Sequence, residues 1–325
     1  MSGPVLAFVE HLGGAPDRPS LEALAVARGL AGKLGAPLEA VVVGTGSGSL
    51  ADALGRHGVA TLHAAEDARL DAYAPVAWAA ALGSAIDLRA PSAVVAPGTD
   101  RGNEVLAHVA ARTGLPMAAN VLSIEPGSSW RIVRQRWAGS LFEDAALDAP
   151  IRLLSIAPHA AAAAEVGPAS ATVVAFAPAI DDEDLAVRVV SQEPRTGGGV
   201  LLTDAKVVVG GGRGVGSAEG FGQLEELATL LGGAVGGSRV VTSLGWRPHA
   251  DQIGQTGLRI APDLYIACGI SGAIQHIVGC KAAKRILAIN TDAESPIMAV
   301  ADYAVIGDLK SVVPAISAEI RARRG

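Results

Sequence analysis

The sequence is poor in aromatic residues and in cysteine. Aromatic residues make up 3% of its 325 positions, while 50% of the positions are hydrophobic. The cores must therefore be built mainly from Ala, Val, Leu and Ile. The two cysteines, Cys268 and Cys280, lie on either side of one short predicted helix and have no metal-ligand spacing. This pattern indicates a reducing cytoplasm.

The sequence also lacks a basic stripe, a basic leader and long apolar runs. The net charge is −6, and Lys and Arg do not cluster among aromatic residues, which argues against nucleic acid as the main partner. The first residues form no basic region ahead of an apolar run, and no uncharged apolar stretch has membrane-spanning length. We expect a soluble, cytoplasmic, unexported protein without membrane insertion.

Apolar runs alternate with helical periods along the first part of the chain. A strand over 5–9, a helix over 20–34 and a strand over 38–43 predict a βαβ start and hence a parallel sheet. The alternation continues with predicted strands at 59–63, 93–96, 118–124, 130–137, 151–156, 171–176 and 185–190, and predicted helices at 75–88 and 103–113. The successive strands 118–124 and 130–137 suggest an antiparallel end to the sheet.

A domain boundary is predicted where periodicity stops. The segment E-P-R-T-G-G-G at 193–199 is rich in Pro and Gly. We therefore predict an N-terminal α/β domain over 1–192, a linker over 193–202 and a second domain over 203–325, in line with the usual number of domains for this length.

The second domain restarts with a strand at 206–209, the turn G-G-G-R-G-V-G at 210–216 and a helix from Ser217. The glycine spacing resembles a dinucleotide-binding fingerprint but fails it, because Ser217 stands where the third glycine is due. The glycines would still let a ligand approach the backbone. Arg213 is either a fixed positive charge beside that ligand or a surface residue.

A short apolar strand at 264–267 precedes a second glycine turn and a helix. Ser271 is the predicted N-cap of this helix, and Gly279 is predicted to end it. Such a turn points backbone N–H groups at an anion such as a phosphate, although it also occurs as a plain connection. Gln275 and His276 on an otherwise apolar helix favour a cofactor edge, with a buried core histidine as the alternative.

Other polar residues fall near the same predicted edge. The stretch 236–256 is long for a loop in a compact domain and holds Arg239, Gln255 and Thr256. Strands predicted at 285–290 and 303–306 end close to Asn290 and Asp308, and Asp308 begins a last helix to about 321. Parallel sheets bind ligands at the carboxyl ends of their strands.

Taken together, these motifs resemble the alpha subunit of the electron transfer flavoprotein family. The resemblance covers the whole second domain and rests on G-G-R-G at 211–214, S-R at 238–239, G-Q-T-G at 254–257, P-D-L-Y-I-A-C-G-I-S-G-A-I-Q-H at 262–276, A-I-N at 288–290 and A-D-Y-x-x-x-G-D-L at 301–309. Over the first domain it rests on F-V-E-H at 8–11 and A-A-R-T-G-L-P at 110–116.

The resemblance implies an α/β fold class, an N-terminal α/β domain plus a C-terminal Rossmann-like parallel-sheet domain that binds FAD. It implies that Thr256 faces flavin N5, His276 faces the C2 carbonyl, Arg239 packs near the isoalloxazine, and the Ser271 turn serves the phosphates. A donor at the C2 carbonyl would favour an anionic semiquinone, because the added charge accumulates at that edge. The implied FAD contacts are Arg213, Ser238, Arg239, Ile253, Gly254, Gln255, Thr256, Ser271, Gly272, Ala273, Ile274, Gln275, His276, Asn290, Asp308 and Leu309.

The implied function is electron carriage in a heterodimer with a beta subunit, from flavin dehydrogenases to a quinone reductase or similar acceptor. In that heterodimer the N-terminal domain over 1–192 is expected to pack on the partner. An electron-bifurcating relative that uses NADH is one alternative. A second is an α/β hydrolase with Ser271 as nucleophile, since G-I-S-G-A at 269–273 nearly matches G-x-S-x-G. A third is a plain nucleotide-binding module without flavin chemistry.

Overall fold

The computed structural model describes residues 3–139, 141–167, 169–191 and 200–324. The chain divides into two compact units, Met1–Pro194 and Arg195–Gly325. Most of the predicted linker at 193–202 lies outside the described residues, so its conformation stays a prediction.

The first unit is built around one large sheet with helices on its faces. Its strands are β1 Val5–Phe8, β2 His11–Leu12, β3 Ala15–Pro16, β4 Leu38–Val43, β5 Thr61–Ala65, β6 Ala93–Pro97, β7 Met117–Glu125, β8 Trp130–Arg136, β9 Leu141–Leu147, β10 Arg152–Ile156 and β11 Thr172–Phe176. Its α-helices are α1 Arg18–Leu34, α2 Ala51–Arg56, α3 Pro75–Arg89 and α4 Asp100–Thr113.

The large sheet has the strand order β11-β5-β4-β1-β6-β10-β7-β8-β9. Neighbouring strands from β11 to β7 are parallel, whereas β8 pairs antiparallel with both β7 and β9. The antiparallel end suggested by the sequence is therefore confirmed. The sequence did not predict β9, because L-F-E-D-A-A-L mixes apolar and acidic residues on an exposed hairpin strand.

The predicted strand at 185–190 is wrong. Local backbone hydrogen bonds from Leu185 N to Asp182 O and from Ala186 N to Glu183 O close turns there. Leu185 is buried, whereas Val187 and Val190 are exposed. The alternating apolar residues therefore belong to one buried side chain and a surface segment, and no strand in the described part of the chain pairs with them.

Small aliphatic residues form the core of the first unit, as the composition predicts. The residues of β1 and β4 are all buried, which is typical of parallel strands covered on both faces. On one face they pack with α1, and on the other with the Ala-rich α3 and with α4. Alanines such as Ala77 and Ala81 let α3 approach the sheet closely.

The second unit is a smaller, fully parallel sheet with helices. Its strands are β12 Val207–Gly211, β13 Ala234–Gly237, β14 Leu264–Cys268, β15 Ile286–Asn290 and β16 Tyr303–Ile306. Its α-helices are α5 Gly222–Leu231, α6 Arg239–Ser243, α7 Ile274–Cys280, α8 Pro296–Val300 and α9 Leu309–Arg324. The strand order is β13-β12-β14-β15-β16 with every pair parallel, which confirms the predicted α/β class with a Rossmann-like sheet.

The stretch 236–256 is not one long loop. It contains the end of β13 and the short helix α6. The strand A-V-G-G escaped prediction because glycines carry no apolar pattern. An added Cβ at Gly236 would lie 2.9 Å from Cγ1 of the buried Ile253, so a larger residue there would have to displace this side chain. Among the helices that the structure describes, none combines the length and apolar character needed to cross a bilayer.

Candidate functional site

The candidate site lies along the carboxyl edge of the second sheet. The chain runs from β12 outward to β13 and then returns to β14 on the other side of β12. Open α/β sheets bind ligands at such a change of direction, outside the carboxyl ends of the strands. Arg213 follows β12 and Ser271 follows β14, so they stand on the two sides of this point.

The two glycine turns at this point pack backbone against backbone. Gly212 N donates to Cys268 O at 2.9 Å, and Gly214 N donates to Gly269 O at 3.0 Å. A Cβ on Gly212 would lie 2.7 Å from Cα of Ile270. These glycines are thus required by the contact between the turns, which the sequence had related only to a ligand.

The turn after β14 differs from its prediction in two ways. Helix α7 begins at Ile274 after Ala273, which makes no side-chain cap, so the prediction of Ser271 as N-cap is wrong. The Ser271 side chain is exposed, and its carbonyl accepts from Ile297 N at 3.0 Å. Gly279 does not end the helix either, because it lies inside α7, packed against the backbone of Gly254.

The segment 252–258 is held between β13 and α7. Ile253 N donates to Gly237 O at 2.8 Å, and Gln255 N donates to Gln275 O at 2.8 Å. These bonds bring the predicted residues Gln255 and Thr256 beside the start of α7, and both side chains are exposed there.

A buried amide that the sequence analysis did not single out supports Thr256. Gln252 is 3% exposed. Its Oε1 accepts from Thr242 Oγ1 at 2.7 Å, and its Nε2 donates to Thr256 Oγ1 at 2.9 Å. No local pattern in P-H-A-D-Q-I-G distinguishes a buried bridging glutamine from a surface one, so only the packing shows it.

His276 is buried, at 7% exposure, against the fully buried Tyr265. Its Nε2 lies 2.8 Å from the Tyr265 hydroxyl. Burial lowers the pKa of His276 to about 4, although the Ile253 backbone favours the charged form. The ring is therefore neutral at pH 7. Its Nδ1 is also buried and makes no hydrogen bond of ordinary geometry among the described residues.

Two of the remaining predicted residues are exposed and make no ion pair among the described residues, whereas others make hydrogen bonds within the protein. Arg213 and Arg239 are exposed, and neither takes part in the ion pairs found among the described residues. In contrast, Asn290 Nδ2 donates to Ile270 O at 3.0 Å and to Ser295 Oγ at 3.1 Å. Asp308 accepts from Lys310 N at 3.0 Å at the start of α9, and the neighbouring Leu309 is buried. These last side chains hold the edge together.

Among the described residues, Ser271 lacks the relay that a serine hydrolase needs. A nucleophilic serine requires a base within hydrogen-bond reach. In the part of the chain that the structure describes, the Ser271 hydroxyl has no side-chain partner, and the Nε2 of His276 is hydrogen-bonded to Tyr265.

Cys268 and Cys280 are buried, which raises the pKa of each thiol to about 12. The described residues also contain no group of three or more potential metal ligands.

Comparison with known proteins identifies relatives over nearly the whole chain. The family model described as "Electron transfer flavoprotein domain" matches residues 5–181, and "Electron transfer flavoprotein FAD-binding domain" matches residues 201–281. "Electron transfer flavoprotein subunit alpha" of Mycobacterium leprae is 38% identical over 98% of this chain and 99% of its own. The protein of the same name from Bacillus subtilis is 36% identical, over 99% and 98%. "Protein FixB" of Clostridium saccharobutylicum is 34% identical, over 98% and 96%.

Proposed function

The chain belongs to the electron transfer flavoprotein family as an alpha subunit, and from this premise we propose its function. It carries electrons from flavin dehydrogenases to a quinone reductase or similar acceptor. The second unit contains the family's FAD-binding domain, so FAD is its cofactor. When bound, FAD would be the group that accepts and releases the electrons. The chain has no substrate chemistry of its own in this proposal.

The donor set at the carboxyl edge of the second sheet carries the proposal. Two exposed arginines without ion pairs among the described residues, Arg213 and Arg239, suit a ligand with two phosphates and a ring that gains negative charge on reduction. The exposed hydroxyls of Ser271 and Thr256 add neutral donors. The residues proposed to contact FAD are Arg213, Ser238, Arg239, Ile253–Thr256, Ser271–His276, Asn290, Asp308 and Leu309.

His276 and Tyr265 would set the direction of one hydrogen bond to the flavin. Burial raises the pKa of Tyr265 well above its usual value, so the hydroxyl keeps its proton. If this hydroxyl donates to Nε2, the neutral imidazole carries its own proton on Nδ1. Nδ1, which is buried in the isolated chain, would then be the donor to the flavin C2 carbonyl, the group that the resemblance assigns to His276.

We further propose that a beta subunit covers the flavin. On the isolated chain three of the residues proposed to contact FAD are open to solvent: Ile274 is 73% exposed, and Gln255 and Thr256 are also exposed. The isolated chain should therefore lose FAD on gel filtration, whereas the heterodimer purified with its beta subunit should retain it. A monomeric chain that stays saturated with FAD would contradict the heterodimer.

The same preparation separates the alternatives. One FAD per heterodimer, with a visible spectrum that changes on reduction and returns on reoxidation, would support the electron carrier. A second flavin that reacts with NADH would favour the electron-bifurcating relative. A colourless preparation would favour the hydrolase or the plain nucleotide-binding module.

A pair of substitutions separates ligand binding from packing at the turn after β14. Since Ser271 caps no helix, Ser271→Ala should leave the free energy of unfolding within about 0.5 kcal/mol of wild type and lower FAD retention. Cys268→Ala should do the reverse, because Cys268 is fully buried. It should cost about 1 kcal/mol, as for the loss of one buried methyl group, with unchanged FAD content. Urea unfolding and flavin absorbance measure the two effects, and equal FAD loss in both variants would mean that Ser271 acts through packing.

A further inference from the structure

We infer that Gln252 is a positioning residue that aims the Thr256 hydroxyl at the bound FAD. The inference rests on the proposed function, because it takes FAD to occupy the carboxyl edge of the second sheet with its ring nitrogen N5 near Thr256. Gln252 itself lies behind Thr256, buried and out of reach of a ligand at that edge.

The backbone around Gln252 is held on both sides. Leu258 N donates to Gln252 O at 2.7 Å, and the next residue, Ile253, donates its N–H to Gly237 O at 2.8 Å. Gly257 packs against the same peptide, where an added Cβ would lie 2.8 Å from the Gln252 carbonyl carbon. The carboxamide therefore projects from a fixed point at the end of β13, and this fixes where Thr256 can be held.

The carboxamide is satisfied at both ends. Oε1 accepts from Thr242 Oγ1 at 2.7 Å, and Nε2 donates to Thr256 Oγ1 at 2.9 Å. The Thr242 hydroxyl also lies 3.0 Å from Arg239 O, and the shorter contact is the one to Gln252. Buried polar groups need such partners. Of the two threonines, Thr242 belongs to α6 and is half-buried, whereas Thr256 is exposed. The bridge thus runs from the interior of the unit to the candidate site.

This bridge determines which hydrogen bond Thr256 can offer. Its oxygen already accepts from Gln252, so its own proton is free to point towards the ligand. Such a hydroxyl is a good donor to a ring nitrogen that has no proton. Once that nitrogen is protonated, the hydroxyl is a poorer acceptor from it, since one lone pair of the hydroxyl oxygen is already used by Gln252. The bridge should therefore raise the first one-electron potential of bound FAD and lower the second.

The test uses the purified FAD-loaded heterodimer. Gln252→Met keeps the volume of the side chain and removes the donor. It should raise the Kd for FAD about two- to tenfold, the size of one neutral hydrogen bond, and bring the two one-electron potentials closer together in a stepwise reductive titration. In a Thr256→Val background the same substitution should add nothing to either change, because the group it acts through is gone.

A second variant and a control keep the test decisive. Gln252→Glu is nearly isosteric, but a carboxylate only accepts hydrogen bonds. The Thr256 hydroxyl should then donate to the carboxylate and no longer to the ligand, which should also narrow the separation of the two potentials. The added negative charge of this variant also lowers the first potential, in which the flavin gains charge, more than the second, in which a proton accompanies the electron. Gln252→Met, which adds no charge, therefore isolates the contribution of the hydrogen bond to the separation. Thr229→Val removes a hydroxyl that bonds only within α5, to Glu225 O at 2.8 Å, and should leave Kd and potentials unchanged.

Two outcomes would overturn the inference while the proposed function stands. One is an FAD-loaded Gln252→Met or Gln252→Glu heterodimer with wild-type Kd and potential separation. The other is an effect of full size in the Thr256→Val background, which would show that Gln252 acts by packing alone. A wild-type heterodimer without FAD would overturn the proposed function itself, and this inference with it.

Discussion

Gly272→Ala is expected to destabilise the second unit by about 2 to 4 kcal/mol and to abolish stable FAD retention. Gly272 has φ +81°, a left-handed conformation that costs an alanine roughly 1 kcal/mol. An added Cβ would also lie 2.6 Å from Cα of Ile297, which is backbone and cannot move aside cheaply. Overpacking of this kind costs typically about 1 to 3 kcal/mol. Chemical unfolding and flavin absorbance after gel filtration measure the two effects.

Gly245 supplies the matched control. It has φ +73°, and an added Cβ there would meet nothing within 4 Å. Gly245→Ala should therefore show only the conformational cost of roughly 1 kcal/mol and retain FAD. If both variants lost the same stability, the close contact between the turn after β14 and the start of α8 would not contribute.

His276→Ala is expected to lower the first one-electron potential of bound FAD by roughly 65 to 130 mV. This is the one-electron equivalent of a hydrogen bond to a charged group, roughly 1.5 to 3 kcal/mol. The donor is lost, and the Tyr265 hydroxyl is left buried without its partner, so the free energy of unfolding should also fall, by about 1 to 3 kcal/mol. A dithionite titration with a reference dye gives the potential, and urea unfolding gives the stability.

Tyr265→Phe distinguishes the two contributions. It removes the buried hydroxyl and keeps the imidazole, so it should alter the potential much less than His276→Ala does. Because burial holds the pKa of His276 near 4, titration of this ring should add no pH dependence to the potential around neutral pH. A His276→Ala heterodimer with a wild-type first potential would exclude the ring as a donor to the flavin.

Much of the candidate site follows from the sequence because its residues occur where strands end. Arg213 and Ser271 come directly after short apolar runs flanked by glycine, and the carboxyl ends of parallel strands share one edge. The alternation of strands and helices was enough to predict two parallel-rich sheets. It was misleading at 185–190, where an apolar alternation has no strand partner.

What the sequence by itself determined is the identity and order of the groups along the carboxyl edge, since local patterns of glycine, apolar runs and polar residues encode them. Only the tertiary structure decided how these groups are supported. Tyr265 meets His276 and Thr242 meets Thr256 through Gln252, because separate elements fold against one another. Ser271 caps nothing because contacts with Ile297 place the turn before α7. Hydrogen bonds between separate elements depend on packing in three dimensions, which no local pattern in a single chain records.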